Sequence, residues 1–303
     1  MKVVVAGATG AIGKPLVAAL VAAKHDVVGM TSTNAGRRAL VERGAEPFVV
    51  DAFDMHAVSA AMLKIRPDSV IEELTSLPKR YTPEEMRAAA PRDRRLRLEG
   101  GANVHNAARS AGTKRYVVQS TGFFYASGRG LAAEEDPLAR EATPGVAASV
   151  DTYVKVEARV LGSADLPGVA LRYGFFYGPG TYHDPETGSI SEQVRHGQYA
   201  VIGAGTGVFS FVHVEDAASA TVVALESHPG IYNIVDSDPV ECAVWLPAFA
   251  RYLDAPAPPR VTEDEAVTAH GPDTAYYAMR LRGASNAKAK RELDFAPRRL
   301  EWL

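Results

Sequence analysis

A glycine-spaced turn at the start of the chain restricts its fold more than any other segment. In "MKVVVAGATGAIGKPL" an apolar run ends at Gly7, and Gly10 and Gly13 follow at three-residue intervals before a helical pattern begins. This spacing allows a tight turn, close approach of the backbone to a pyrophosphate, and close packing of a helix on a strand. The free N–H groups at the start of that helix favour an anion. We therefore expect a dinucleotide to lie against Gly7, Thr9, Gly10, Ala11, Ile12 and Gly13.

Short apolar segments rich in β-branched residues recur through the first half of the chain. The six predicted strands are KVVVAG, DVVGMT, EPFVVD, DSVIEEL, KRYVVQS and GVALRYG. Predicted helices lie near 11–23, 35–43, 54–65, 93–112 and 146–163. Strands that alternate with helices predict a parallel sheet covered on both faces, and right-handed crossovers favour the doubly wound, Rossmann-type α/β topology.

The pattern changes after residue 173. Glycine and proline become frequent in YGPGTYHDPETGS, and further helices are predicted at 188–197, 214–226, 243–253 and 286–293. We expect a dinucleotide-binding domain over 1–173 and a smaller C-terminal α/β substrate lobe, mainly 174–303, above the carboxyl ends of the strands. Residues of about 205–235 are expected to return to the Rossmann core.

Composition argues against several classes of function. The net charge of −3 gives no electrostatic case for nucleic acid or for an anionic membrane. The first apolar run is too short for a secretion signal or a membrane span, so we expect a cytoplasmic protein. The lone cysteine, Cys242, fits a reducing compartment. No second cluster with ligand spacing supports the HDPE segment (183–186), so we expect no metal.

The end of the second strand bears on which dinucleotide binds. An acidic residue there would bind the adenosine ribose of NAD, but this chain has MTSTNAGRR. The hydroxyls of Thr31 and Ser32 and the guanidinium of Arg37 suit a 2′-phosphate, although arginines also suit a solvated helix face. NADP(H) is therefore expected in preference to NAD(H). Further cofactor contacts are expected after the later strands: Asp51, Ala52, Leu74, Thr75, Ser76, Ser120, Tyr173 and Phe175.

The glycine turn is followed, in order, by RYVVQSTGFFYASG, LRYGFFYGPG and FSFVHVEDAASA. Together these segments resemble the extended short-chain dehydrogenase/reductase family, the NAD(P)-dependent epimerase/dehydratase group, over nearly the whole chain. The resemblance implies an NAD(P)-dependent oxidoreductase, epimerase or dehydratase acting at a hydroxyl or carbonyl carbon of a small molecule. It also implies that Thr121 positions the substrate oxygen and that Lys155 binds the nicotinamide ribose. A homodimer through helices 93–112 and 146–163 is a further implication.

The family's Tyr-x-x-x-Lys pair is incomplete in SVDTYVKVEARVL. Asp151 stands four residues before Lys155, and Tyr153 stands only two before it, where a regular helix directs it to another face. Three substitutes for the acid and base remain open. Tyr153 could act if the helix starts late, a phenol could come from Tyr125 or Tyr177, or the carboxylate of Asp151 could serve as a base.

Several functions remain open at this point. An enzyme would act on a nucleotide sugar or on a less polar secondary metabolite, and GFF (122–124) with GFFYG (174–178) predicts an aromatic pocket for the latter. A non-catalytic NADP(H)-binding redox sensor would need no catalytic tyrosine, but it would have no use for Thr121. An enzyme that uses the cofactor only structurally would need its own acid–base pair. The adjacent acids Glu72 and Glu73 in a buried strand have no explanation from the sequence.

Overall fold

The computed structural model describes residues 1–303. Its strands are β1 Lys2–Ala6, β2 Asp26–Thr31, β3 Glu46–Val49, β4 Ser69–Glu72, β5 Arg115–Thr121, β6 Gly168–Tyr173, β7 Phe175–Tyr177, β8 Val201–Ile202, β9 Val208–Phe209, β10 Phe211–His213, β11 Gly230–Ile234, β12 Val240–Glu241 and β13 Arg260–Val261. Its α-helices are α1 Gly13–Ala22, α2 Asn34–Glu42, α3 Met55–Ile65, α4 Pro83–Arg95, α5 Gly101–Ser110, α6 Pro144–Leu161, α7 Ser189–Arg195, α8 Val214–Ala224, α9 Cys242–Tyr252, α10 Glu263–His270, α11 Pro272–Arg280 and α12 Ala287–Glu292. None of these helices combines the length and the apolarity that crossing a membrane requires.

Seven parallel strands form the central sheet, in the order β3-β2-β1-β4-β5-β6-β11. The chain starts in the middle of the sheet, builds outward to β3, and then crosses back to β4, so the strand order reverses beside β1. In such a sheet, ligands bind at the carboxyl ends of the strands next to this reversal. All six predicted strands belong to this sheet, which confirms the doubly wound fold.

Apolar side chains cover both faces of the sheet. On one face, α1, α8 and α12 bury residues such as Leu16 and Ala217 against the strands. On the other face, α3, α5 and α6 bury residues such as Met62 and Val156. A third cluster, around Trp245, fills the second lobe and extends to the first half of α6. Helix α6 therefore packs on the sheet and on the second lobe at once.

The helix predicted near 93–112 is part of a longer helical stretch that starts at Pro83. The hydroxyl of Thr82 accepts a hydrogen bond from the N–H of Glu85, and proline follows at the first helical position, which is a favourable helix start. The stretch is interrupted by one π-helical turn, Leu96–Gly100, between α4 and α5. The sequence did not predict the early start, the π turn, or helices α10 and α11.

Candidate active site

The glycine turn packs against the end of β4 and leaves no room for side chains. Gly7 has a φ of +87°, and a Cβ atom there would overlap the carbonyl oxygen of Glu73. A Cβ at Gly13 would overlap the carbonyl oxygen of Gly7 and lie 2.7 Å from the carbonyl carbon of Ala8. The N–H of Gly10 donates to the carbonyl of Gly7 at 3.0 Å and closes the turn. Close packing therefore requires the glycines, as the motif predicted.

Three successive N–H groups at the start of α1 have no acceptor within the protein: those of Ala11, Ile12 and Gly13. No side chain caps this helix, and Thr9 lies partly exposed on the same turn. Free N–H donors at a helix start bind phosphate oxygens, so this cradle fits the pyrophosphate of a dinucleotide. When bound along the carboxyl edge of the sheet, such a cofactor supplies or accepts a hydride.

The end of β2 divides the expected phosphate contacts into two groups. Thr31 is only 7% exposed, and its hydroxyl lies beneath Gly36 at the start of α2, so it is not free to meet a ligand. The hydroxyl of Thr33 accepts from the N–H of Gly36 at 3.0 Å and caps the helix. Ser32 and Arg37 are exposed and have no partner in the protein. They are the members of this group that remain available to a phosphate.

Of the pair expected after β3, only one side chain is exposed. Asp51 is exposed, and its carboxylate accepts from the N–H of Phe53 at 3.0 Å. Ala52 is buried, and its carbonyl accepts from the side-chain amide of Asn103 at 3.0 Å. These contacts fix the loop between β3 and α3 against α5.

The loop after β4 follows the carboxyl edge of the sheet. Leu74, Thr75 and Ser76 are each partly exposed there. The N–H of Ser76 donates to the carboxylate of Asp93 at 2.6 Å, which joins this loop to α4.

The buried acid Glu72 belongs to an ion pair. It accepts two hydrogen bonds from one guanidinium nitrogen of Arg159, at 2.8 and 2.9 Å, and one from the phenol of Tyr116. Arg159 also donates to the carbonyl oxygen of Arg97 at 2.9 Å. A paired, hydrogen-bonded charge is tolerated inside a protein, and this one ties β4, α6 and the π turn together.

The neighbouring acid, Glu73, faces the opposite side of the sheet and has no cationic hydrogen-bond partner. It accepts from the phenol of Tyr173 at 3.0 Å, and Tyr173 in turn meets the hydroxyl of Thr221 at 2.6 Å. Burial raises the pKa of Glu73 to about 8, so the side chain is uncharged at neutral pH. Tyr173, which the sequence placed among the cofactor contacts, is only 1% exposed and instead supports Glu73.

A second buried ion pair sets the rotation of α6 over the sheet. Glu157 accepts from Arg172 at 2.7 Å through each of its two oxygens, and from the hydroxyl of Ser120 at 2.6 Å. Ser120 was expected to contact the cofactor, but this hydroxyl is committed to the helix. Residues four apart on a helix share a face, so Tyr153 and Ser149 lie on the same stripe as Glu157. That stripe contains no lysine.

The structure does not place Lys155 or Asp151 in the site, contrary to expectation. The ammonium of Lys155 bonds Asp151 at 2.9 Å, and its side chain is 56% exposed. Asp151 also bonds Arg94 at 2.7 Å, and its contacts with the neighbouring cations lower its pKa, Lys155 first among them. Because the buried ion pairs of α6 fix the helix rotation, these two residues face outward. The family's tyrosine–lysine pair is therefore absent from the site.

Tyr125 and Tyr177 are packing residues and not proton donors for a ligand. Tyr125 is fully buried; its phenol donates to the side-chain oxygen of Asn233 at 2.6 Å and accepts from Arg172 at 2.9 Å. Tyr177 is 1% exposed, and its phenol donates to the carbonyl of Arg299 at 3.3 Å. Both hydroxyls are thus used inside the protein.

Among the tyrosines that the sequence offered as substitutes, Tyr153 is the one whose hydroxyl is not used inside the protein. Helix α6 starts at Pro144, so Tyr153 lies well inside a regular helix and not on a late-starting end. Its ring is partly exposed, and its hydroxyl has no partner in the protein. Burial raises its pKa, while the nearby Arg97 lowers it by a smaller amount. At neutral pH, Tyr153 is a neutral phenol.

Aromatic rings continue from Tyr153 along the carboxyl edge. Tyr153, Phe124, Tyr277, Phe123 and Phe175 form what we call the aromatic row. The ring centroids of Tyr153 and Phe124 lie 6.3 Å apart. The other rings form a compact group, in which Phe124 lies 4.7 Å from Phe123 and 5.8 Å from Tyr277, and Phe175 lies 4.1 Å from Phe123 and 6.3 Å from Tyr277. Thr121 ends β5, two residues before Phe123 in the sequence. It is 3% exposed, and its hydroxyl has no hydrogen-bond partner. An aromatic pocket was expected here, and Phe175, expected as a cofactor contact, belongs to the aromatic row.

Arg97 is a site residue that the sequence did not identify. It lies in the arginine-rich segment PRDRRLR, but the π turn directs it inward, where it is 4% exposed. Its Nε donates to Asp93 at 2.7 Å, and its Cζ lies 4.9 Å from the ring centroid of Tyr153. Burial lowers the pKa of Arg97, but Tyr153, Asp93 and Glu72 together hold it above its ordinary value, so it is a cation.

Comparison with known proteins agrees with this architecture. Residues 3–235 match the NAD dependent epimerase/dehydratase family. The chain is 39% identical over 305 residues to a 3-diazoavenalumate denitrifying reductase from Streptomyces sp., covering 100% of this chain and 98% of that protein. The UDP-glucose 4-epimerase of Thermus thermophilus, solved with NAD, has 26% identity and a TM-score of 0.73 over 98% of this chain and 94% of its own.

A further solved structure, Pal from Bacillus thuringiensis, has a TM-score of 0.79 at 19% identity, and the match covers 99% of this chain and 95% of that protein. At this identity the match supports the fold alone. The fold and the pyrophosphate cradle define a nicotinamide-dinucleotide enzyme. The chain belongs to the NAD dependent epimerase/dehydratase family. The expected resemblance to extended short-chain dehydrogenases/reductases is thereby confirmed.

Proposed function

We propose that this protein is an NADPH-dependent reductase that delivers a hydride to an electron-poor aromatic compound, with an aryl diazonium group as the acceptor. The observation that carries the proposal is the composition of the site. It has a pyrophosphate cradle and an aromatic row, but its helix stripe has Tyr153 without a lysine. The relative of 39% identity is named as a denitrifying reductase of a diazo compound, which is reduction chemistry of this kind.

Proton balance supports a diazonium over a carbonyl acceptor. A carbonyl that accepts a hydride becomes an alcohol only when a proton also reaches its oxygen, and a positioned acid usually supplies it. An aryl diazonium cation that accepts a hydride becomes an arene and N₂ with no proton consumed: the C–N bond breaks and its electron pair leaves with N₂. A site without a tyrosine–lysine pair suits the second reaction better than the first.

The protein's own contribution is then to bind, orient and keep water away. Stacked aromatic side chains hold planar rings and exclude water from a reactive cation. The aromatic row places partly exposed rings of Phe123, Phe175 and Tyr277 at the carboxyl edge, where ligands bind in this fold. Thr121, at the end of β5, has a buried hydroxyl without a partner in the protein.

The preference for NADP(H) over NAD(H) is part of the proposal. No acid stands at the end of β2 to repel a 2′-phosphate, and Ser32 and Arg37 are exposed there without partners. An exposed guanidinium beside a hydroxyl is a suitable phosphate contact.

The test is to supply the purified protein with NADPH and 4-carboxybenzenediazonium, and to measure N₂ by mass spectrometry and benzoate by chromatography. We expect one N₂ and one benzoate for each NADPH oxidised. A matched set of aromatic aldehydes and ketones should give much slower oxidation of NADPH. Fast reduction of the carbonyl compounds, with no enzymatic release of N₂, would contradict the proposal.

The missing tyrosine–lysine pair also favours one other function, a non-catalytic NADP(H)-binding sensor. Under that alternative the protein binds NADPH tightly but turns over neither the diazonium nor the carbonyl compounds. The same experiment therefore separates the two.

A further inference from the structure

We propose that Arg97 is an anion-binding residue of the active site and that it holds a carboxylate of the substrate. This inference rests on the proposed function, because it specifies the substrate of that site as an aromatic carboxylate. It assigns a role to a buried cation that the hydride chemistry itself does not use.

The position of Arg97 is fixed by two supports. Its Nε donates to Asp93 at 2.7 Å, and the same carboxylate accepts from the N–H of Ser76 at 2.6 Å. Its carbonyl oxygen accepts from Arg159 at 2.9 Å, and Arg159 is itself paired with Glu72. Single π-helical turns often occur at functional sites, and here the turn at Leu96–Gly100 carries the arginine. The side chain is therefore held in place before any ligand arrives.

The outer end of the guanidinium is unused. Neither Nη1 nor Nη2 of Arg97 has a hydrogen-bond partner in the protein, and neither is sealed from solvent. With Nε taken by Asp93, the two remaining nitrogens present a pair of nearly parallel N–H donors. A carboxylate matches such a pair with two hydrogen bonds.

Neighbouring acids leave room for another anion. Glu72 is occupied by Arg159, and Asp93 already accepts two hydrogen bonds. Glu73 is uncharged at neutral pH because burial raises its pKa to about 8. Arg97 therefore faces no free carboxylate at its outer end.

The aromatic row starts beside this cation. The Cζ of Arg97 lies 4.9 Å from the ring centroid of Tyr153, and the ring of Phe124 follows at 6.3 Å. A planar substrate lying along the row would have one end at Arg97 and its ring against Phe123 and Tyr277. This arrangement recognises an aromatic acid by its ring and its carboxylate together.

The experiment is calorimetric titration of the NADP⁺-saturated protein with cinnamate and, separately, with cinnamamide, which has the same planar shape without the charge. The proteins compared are wild type, Arg97→Met, Arg97→Lys and the control Arg94→Met, which removes an exposed arginine paired outside the site. The NADP⁺ affinity of each variant reports whether the cofactor site and fold are intact. Binding requires no turnover, so the result does not depend on whether a diazonium is reduced.

Wild type should bind cinnamate at least about tenfold more tightly than cinnamamide, which is the usual effect of a hydrogen-bonded charge. Arg97→Met should abolish that difference with NADP⁺ affinity unchanged, Arg97→Lys should restore part of it, and Arg94→Met should behave as wild type.

Several results would overturn the inference. Equal binding of the two ligands by wild type, or no binding of cinnamate, would do so even if Arg97→Met does not fold. Loss of NADP⁺ affinity in a folded Arg97→Met protein would show that the arginine holds the cofactor instead. If wild type binds cinnamate more tightly than cinnamamide but releases no N₂ from 4-carboxybenzenediazonium, the role of Arg97 stands and the proposed reaction is refuted.

Discussion

Replacing Glu73 by glutamine should remove one component of the pH dependence of stability. Glu73 is buried, with one oxygen accepting from Tyr173 and the other without a partner. Its pKa is about 8 in the folded protein and about 4.5 when unfolded, so the folded state binds more protons between these values. Stability from this group is therefore complete below about pH 4.5 and is lost as the pH rises through about 8.

The expected size follows from the shift. Each pKa unit corresponds to about 1.4 kcal/mol, so wild type should lose roughly 2.5 kcal/mol from this group between about pH 6 and about pH 9. Glu73→Gln keeps the shape and hydrogen-bonding capacity of the neutral acid but cannot ionise. Between about pH 6 and about pH 9, the free energy of unfolding of Glu73→Gln should therefore fall by about 2.5 kcal/mol less than that of wild type.

Urea unfolding at a series of pH values measures this difference directly. Glu46→Gln is the matched control, because Glu46 is exposed and has no partner, and it should follow wild type. If Glu73→Gln and wild type lose the same stability between about pH 6 and about pH 9, then Glu73 is ionised in the folded protein and the account of its burial is wrong.

Three further predictions concern the cofactor, the outward face of α6 and assembly. Lys155→Ala should change NADPH affinity and turnover by less than about twofold, because the lysine is exposed and its ion pair is a weak surface one. A loss of NADPH binding in this variant would show that Lys155 contacts the cofactor. Arg37→Ala should weaken NADPH binding about tenfold and leave NADH binding unchanged, as measured by fluorescence titration; equal weakening of both would contradict the 2′-phosphate contact. The proposed homodimer through 93–112 and 146–163 should appear at twice the chain mass in light scattering, and a monomer at all concentrations would exclude it.

The local features of this fold could be predicted because local pattern determines them. The glycine spacing predicted the turn against β4, and the β-branched runs predicted all six strands of the first half. The start of α4 was also readable in principle, since Thr82 and Pro83 form an ordinary helix start. The predicted boundary at residue 93 was therefore too late, since the helical stretch begins at Pro83.

The site residues were harder to predict because tertiary ion pairs decide which side chains face it. Lys155 and Tyr153 lie on one helix, and only the pairs Glu157–Arg172 and Arg159–Glu72 determine which of them points inward. Those partners are distant in sequence, and nothing in the helix itself reveals them. The same applies to Glu72 and Glu73, whose burial is explained only by partners on other elements.

Arg97 illustrates a different limit. In the sequence it is one of several arginines in a basic run, which ordinarily forms a solvated face. One π-helical turn rotates it away from Arg94 and Arg95, which remain in surface ion pairs. Single turns of this kind have no reliable sequence signal, so the cation of the site could be found only from the structure.

Under the proposed function the site reduces its substrate without a protein acid, and the variant Tyr153→Phe is the sharpest test of that proposal. This variant keeps the ring against Arg97 and removes only the phenol oxygen. The measurement is kcat/KM for NADPH-dependent release of N₂ from 4-carboxybenzenediazonium, with wild type and variant side by side. We expect the two values of kcat/KM to agree within about threefold. A fall of about 100-fold or more, the usual effect of losing a general acid, would show that Tyr153 donates a proton and would refute reduction without a protein acid.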